Sequence, residues 1–183
     1  MDLETCALAA VVVLTPRRFS DGRGFFCETW NRSHMADVGI DLDFVQDNLS
    51  FSVERGTFRG FHFQKPPRAQ AKLVRVSRGA VLDVVVDIRR DSPTYGQHFG
   101  VELSAENGRQ IFVPVGLAHS FLTLQPDTEV LYKASEFYDP EAEGGIRCDD
   151  PSLDIDWPLA MDDFMINDRD RGWPDLASLG EIF

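Results

Sequence analysis

From Lys72 onward the chain reads as one short extended run after another. Lys72-Leu73-Val74-Arg75-Val76-Ser77 alternates apolar and polar with period two, and residues 81–88 form a β-branched run interrupted by Asp83 and Asp87. Residues 98–104, 109–113, 119–124 and 129–138 repeat the pattern. Such runs suit a pleated, half-buried surface. Turn signals separate them: Arg78-Gly79, Ser92-Pro93, Asn107-Gly108, Pro114 to Gly116, and Pro126-Asp127. Asn107-Gly108 between two apolar runs predicts a hairpin. Strands at about ten-residue spacing predict an all-β sandwich or barrel, of which a jelly roll is one solution. A closed all-β interior also offers a pocket lined by alternate residues of each strand. Helical periodicity is scarce: one short helix falls within 26–38, capped by Asn31 or Ser33, and another follows Pro158. The apolar run 7–14 is too short to span a bilayer and lacks the basic flank and cleavage site of a signal peptide. It reads as a strand.

Strand parity decides which side chains share a face. In Gly60-Phe61-His62-Phe63-Gln64 the two phenylalanines point one way, and His62 and Gln64 the other. Lys72 shares its face with Val74 and Val76, an odd place for an ammonium unless that face borders a wet pocket. Tyr132 and Tyr138 have equal parity, so an unbroken strand aims both the same way. Taken singly, each has an ordinary explanation, since a lone histidine on a strand is usually a satisfied core residue and paired tyrosines usually pack. Taken together, His62, Lys72, His119, Tyr132 and Tyr138 supply a titratable base, a fixed cation, a second imidazole and two phenols. That set is suited to removing a proton next to a carbonyl.

Composition narrows the alternatives. One chain of 183 residues is the size of a single domain with a sizeable core. A net charge of −12 argues against a nucleic-acid or anionic-membrane binder. That average hides an asymmetry: residues 55–82 contain no Asp or Glu, but do contain Arg55, Arg59, Lys65, Arg68, Lys72, Arg75 and Arg78. Such a stretch in an acidic protein is either a solvated strand face or a local site for a phosphate-bearing small molecule. Cys6, Cys27 and Cys148 are scattered and odd in number, which fits a reducing cytoplasm and no disulfide framework. The four histidines, His34, His62, His98 and His119, have no H-x-H or H-E-x-x-H spacing, so a three-histidine metal cage is not expected. Phosphate-loop, dinucleotide-fold and nucleophile-elbow motifs are absent as well. Neither metal nor cofactor is expected.

Several segments carry a family resemblance: Asp21-Gly22-Arg23-Gly24-Phe25-Phe26-Cys27-Glu28, Phe44-Val45-Gln46-Asp47-Asn48-Leu49-Ser50, Phe58-Arg59-Gly60-Phe61-His62-Phe63-Gln64, Gln70-Ala71-Lys72-Leu73-Val74-Arg75-Val76, and Pro114-Val115-Gly116-Leu117-Ala118-His119-Ser120-Phe121. With Leu131-Tyr132-Lys133 they make the chain resemble the dTDP-4-dehydrorhamnose 3,5-epimerase family over nearly its whole length. The resemblance implies a single cupin jelly-roll domain over 1–183 with short flanking helices and a C-terminal extension over 158–183. It also implies a homodimer, with the N-terminal strands of 1–50 partly engaged with the partner, and a dTDP-4-keto-6-deoxyhexose substrate. By position, His62 matches the general base, Asp170 or Asp168 the carboxylate that orients it, and Tyr132 the proton donor. Lys72 matches the group that stabilises the enolate oxygen, with His119 close by. Gln46, Asn48, Arg59, Glu143 and Arg169 match substrate contacts, Tyr138 the aromatic that stacks on thymine, and Arg23 and Glu28 a segment that reaches the partner's site.

Three departures from the family pattern lie outside the catalytic set and bear on pocket shape: Phe61, Val115-Gly116-Leu117, and Cys148-Asp149-Asp150. Relatives that epimerise only C3 or only C5 keep the same histidine, lysine and tyrosine. The leading expectation is therefore double epimerisation, giving dTDP-4-keto-L-rhamnose. Its rivals are a monoepimerase, a non-catalytic sugar-nucleotide binding module and a metal-dependent cupin oxygenase.

Overall fold

The computed structural model describes residues 1–6, 8 and 10–183. Along the chain lie β1 (Asp2–Thr5), β2 (Val12–Thr15), β3 (Arg18–Asp21), β4 (Gly24–Cys27), α1 (Arg32–Ala36), β5 (Gln46–Ser52), β6 (Phe58–Gln64) and β7 (Lys72–Arg78). Then come β8 (Ala80–Asp87), β9 (His98–Ser104), β10 (Gln110–Val113), β11 (Leu117–Thr123), β12 (Thr128–Ala134), β13 (Glu143–Gly145) and α2 (Asp168–Arg171). A six-stranded sheet has the order β1-β2-β10-β7-β12-β5, and a five-stranded sheet the order β13-β6-β11-β8-β9. The pairing is antiparallel throughout both, and β3 and β4 form a separate hairpin. This is the expected jelly-roll sandwich.

The turns carry the topology. From β9 to β12 every connection passes from one sheet to the other, and the β7–β8 turn at Gly79 does the same. Asn107-Gly108 is a tight turn: Gly108 N–H bonds Ser104 O at 3.0 Å, and Gly108 has φ +66°. It does not close a hairpin, because β9 and β10 belong to different sheets. A turn dipeptide reports local chain reversal, whereas pairing depends on which faces must be buried, and here both sheets need an inner face. The apolar run at 7–14 also changes on folding. Only Val12–Thr15 is strand, Ala10 sits at φ +68° in the turn that precedes it, and Ala7 and Ala9 lie outside the described residues. The predicted strand 129–138 ends at Ala134, so Tyr138 sits on the following connection.

Three apolar clusters follow from the layering. Val13, Val74, Val76, Val81, Val85, Leu103, Ile111 and Phe121 fill the space between the sheets. Outside the six-stranded sheet, Leu14, Leu73 and Phe112 are covered by Met35 of α1 and Ile40. That helix starts where Asn31 accepts hydrogen bonds from Ser33 N–H and His34 N–H, so Asn31 is the cap. Outside the five-stranded sheet, Phe58, Phe61 and Phe63 are buried under the C-terminal segment, with Phe58 against Trp157 at 5.6 Å and Phe164 at 5.8 Å. The tail thus closes one face of the sandwich and carries α2 back to β6.

Candidate active site

Where the two sheets part at one end, a cavity of about 390 Å3 opens. Gln46, Asn48 and Ser50 of β5, Lys72 of β7 and Tyr132 of β12 line one wall. Arg59 and His62 of β6, His119 and Phe121 of β11 and Glu143 of β13 line the other, and Tyr138, Asn167, Arg169 and Asp170 close the rim.

A bulge in β6 brings two of these side chains together. Arg59 and His62 are three residues apart, and in a regular strand they point to opposite faces. Yet Phe121 pairs with Arg59 and His119 with His62, so three steps on β6 oppose two on β11. The extra residue turns both side chains into the cavity. Gly60 makes this possible: at φ +140° a Cβ there collides with Ser120 Cβ and Cα.

His62 is held from behind. Its Nε2 lies 2.8 Å from Asp170 Oδ1, and the carboxyl is 1% exposed. Burial opposes ionisation of Asp170. The hydrogen bonds from His62 and the Gly60 N–H, helped by the Arg169 charge, outweigh that cost and hold its pKa below the usual value. An ionised carboxylate only accepts, so Nε2 carries the proton and Nδ1 is the nitrogen free to take another. The choice between Asp168 and Asp170 resolves geometrically. Asn167 caps α2 by accepting from Asp170 N–H at 2.7 Å, which turns Asp170 inward and leaves Asp168 exposed.

The second imidazole has its own carboxylate. His119 Nε2 lies 2.8 Å from Asp83 Oδ2, and Asp83 is fully buried. Burial lowers the Lys72 pKa to about 8, although Asp83 and Glu143 act to raise it. Burial also raises the Tyr132 pKa, so the phenol stays protonated near neutrality despite the opposing charge of Arg59. At the rim the Tyr138 hydroxyl donates to Glu143 Oε2 at 3.0 Å, and Arg169 Nη1 donates to the same oxygen at 2.8 Å. Gln46 Nε2 donates to Asn48 Oδ1 at 3.0 Å, while Asn48 Nδ2 is buried without a partner among the described residues. It stands ready to donate to a ligand.

Two expected site residues lie elsewhere. Arg23, at the tip of the β3–β4 hairpin, is exposed and paired with Asp21 at 2.6 Å. Glu28 pairs with His34 at 2.7 Å, and neither lines the cavity of its own chain. Of the seven cations in residues 55–82, only Arg59 and Lys72 face the cavity. Arg68 and Arg78 instead pair with Glu136 and Asp127, outside the cavity. The third cation of the site, Arg169, comes from the acidic tail. Phe61, Val115-Gly116-Leu117 and Cys148-Asp149-Asp150 do not line the cavity either.

Ser50, Phe121, Asn167 and Asp83 were not anticipated. Parity pointed to the first two, which follow Asn48 and His119 by two residues on their strands. An Asp at 83 within the apolar run 81–88 signals a buried acid in need of a partner. Among the described residues, no group of three or more His, Cys, Asp and Glu is arranged to hold a metal ion.

A basic imidazole on one wall, a neutral phenol on the other and an ammonium in the same space can move protons on a carbon beside a carbonyl. On this jelly roll they define an acid–base isomerase. Comparison with known proteins narrows the class. The sequence profile of dTDP-4-dehydrorhamnose 3,5-epimerase matches residues 5–178. The dTDP-4-dehydrorhamnose 3,5-epimerase of Methanothermobacter thermautotrophicus is 48% identical over 171 residues, covering 93% of this chain and 91% of its own. A dTDP-6-deoxy-D-glucose-3,5-epimerase from Legionella pneumophila, solved with dTDP-4-keto-L-rhamnose, superposes with a TM-score of 0.93 at 39% identity, covering 97% of this chain and 94% of the other. A 3'-monoepimerase from Streptomyces bikiniensis, solved with dTDP-quinovose, gives a TM-score of 0.87 at 35% identity over 94% and 86% of the two chains. The chain belongs to the dTDP-4-dehydrorhamnose 3,5-epimerase family, and is accordingly an epimerase of the isomerase class.

Proposed function

We propose that the chain converts dTDP-4-keto-6-deoxy-D-glucose into dTDP-4-keto-L-rhamnose by inverting C3 and C5. The observation that carries the reading is that His62 and Tyr132 stand on facing sheets of one cavity that also holds Lys72. A ketone at C4 acidifies the hydrogens on both neighbouring carbons, because either carbanion delocalises onto the carbonyl oxygen. His62 Nδ1 takes the proton on one face of the ring, with Asp170 stabilising the imidazolium. Lys72, with His119 beside it, meets the negative enolate oxygen. Tyr132 returns a proton to the same carbon from the opposite face, which inverts it. The C–H bond broken is replaced by a C–H bond formed, and no electrons are gained or lost overall. Arg59 and Arg169 supply charge for the pyrophosphate, Gln46, Asn48 and Glu143 hold the sugar nucleotide, and Tyr138 at the rim stacks on the thymine.

The same reading gives a homodimer in the cytoplasm. The β3–β4 hairpin exposes Phe19, Phe25 and Phe26, the last at 69%, beside Arg23 and Glu28. A second copy covers these rings and receives Arg23 and Glu28 near its cavity. Sedimentation at the mass of one chain overturns that arrangement. No helix of the described residues is long and apolar enough to cross a membrane.

Incubation with dTDP-4-keto-6-deoxyglucose in D2O, read by NMR, tests the function. Deuterium at both C3 and C5 is expected. The structural likeness to a 3'-monoepimerase keeps one alternative in view, and deuterium at one carbon only selects it. Deuterium at neither reduces the chain to a binding module, and activity that depends on added iron or manganese selects an oxygenase instead.

A further inference from the structure

Gln64 follows His62 by two residues on β6 and is 5% exposed, yet it does not line the cavity. Its amide ties two connections together, the one from β6 to β7 and the one from β12 to β13. Nε2 donates to Phe137 O at 3.2 Å and to Arg68 O at 2.6 Å, while Oε1 accepts from Asp139 N–H at 2.8 Å. Phe137 O and the Asp139 N–H flank Tyr138. Two further glutamines hold the same stretch: Gln46 Oε1 accepts from Tyr138 N–H at 2.9 Å, and Gln70 Nε2 donates to Glu136 O at 2.6 Å. The stretch between Ala134 and Glu143 belongs to neither sheet. Glu136 O, Phe137 O, the Tyr138 N–H and the Asp139 N–H are therefore satisfied by side-chain amides rather than by a strand ladder. A neutral amide suits this task because it donates and accepts at once, which neither a carboxylate nor an ammonium does.

We propose that Gln64 is a positioning residue for substrate binding: it fixes residues 137–139 so that the Tyr138 ring is set at the cavity rim before the nucleotide arrives. The proposal rests on the reading of Tyr138 as the platform for the thymine base. Pre-setting the ring removes an ordering cost from binding while leaving the proton-transfer groups in place. The defect on losing Gln64 therefore falls on KM and on affinity for the nucleotide alone, and runs through Tyr138.

The test is calorimetric binding of dTDP, with KM and kcat for the keto sugar, in Gln64→Leu, Tyr138→Ala and the double variant. Gln70→Ala, at a more exposed position, serves as a second single variant, and melting curves accompany each. Expected are about tenfold weaker dTDP binding in Gln64→Leu, from two lost hydrogen bonds to the segment, a raised KM with kcat within about twofold, and a double variant no weaker than Tyr138→Ala. Gln70→Ala shows a smaller shift in the same direction. Strictly additive losses, or a fall in kcat at unchanged KM, overturn the proposal. If Gln64→Leu does not fold, unchanged dTDP affinity in Gln70→Ala overturns it. Wild-type protein that fails to bind dTDP overturns the nucleotide reading as well, which separates the two failures.

Discussion

The imidazole of His62 has two nitrogens and a task for each. Asp170 fixes one, so in the proposed mechanism the other is the base without waiting for a tautomer to form. Lys72 makes a sharper case, because in the proposed mechanism its charge stabilises the enolate, and burial brings its pKa to about 8. The ammonium is the working form and is lost as pH rises through that value. The pH profile of kcat/KM, which reports the free enzyme, is expected to decline above about pH 8. Lys72→Arg keeps its charge, so whatever activity remains loses that limb, and a limb persisting at the same pH in Lys72→Arg assigns it to another group. Removing the cation altogether, as in Lys72→Met, costs about 3 kcal/mol of transition-state stabilisation, or roughly a hundredfold in kcat. Tyr132→Phe separates the two proton steps. Abstraction by His62 continues, so solvent deuterium enters recovered substrate faster than inverted product appears. Equal loss of exchange and inversion argues that Tyr132 is not the donor.

At the level of elements, the site depends on the bulge in β6. Regular alternation sends Arg59 and His62 to opposite faces, and parity alone misplaces one of them. The Gly60 backbone turns the strand where Ser120 leaves no room for a side chain. Gly60→Ala is therefore expected to lose about 3 kcal/mol of stability, through both the clash and the left-handed backbone, which corresponds to a melting temperature lower by roughly 6–12 °C. A melting temperature within about 2 °C of wild type contradicts that account. The strands from Lys72 to Ala134 were legible in two ways: β9 and β12 mix buried with more exposed positions, while β8, β10 and β11 are buried on both faces and read as apolar runs. The N-terminal strands were harder to read. β1 is exposed throughout, and the β3–β4 hairpin packs on neither sheet, so neither carries a buried-face pattern. Asn107-Gly108 announced its turn correctly, but a dipeptide holds no information about which sheet receives the next strand.

Across the whole molecule, the cavity exists because eleven strands form two sheets and the tail from Pro158 returns α2 to β6. His62 and Asp170 are 108 residues apart in sequence, and only the fold makes them partners. Most of the lining was legible through family resemblance, since motif positions map residue by residue onto strands. The hidden part was longer in range: Asp83 beneath His119, Asn167 as the cap that turns Asp170 inward, and the dispersal of the cationic stretch. Five of its seven charges serve other places, because side chains on successive strands point to different faces. The decisive observable is the position of the sugar ring relative to both walls, in a crystal structure of this chain with a dTDP-linked 4-keto-hexose bound. The account predicts His62 Nδ1 about 3–3.5 Å from the carbon it deprotonates, the Tyr132 hydroxyl across the opposite face, and Lys72 Nζ at about 3 Å from the C4 oxygen. A ring with His62 and Tyr132 on the same face, or a sugar seated outside the cavity, contradicts it.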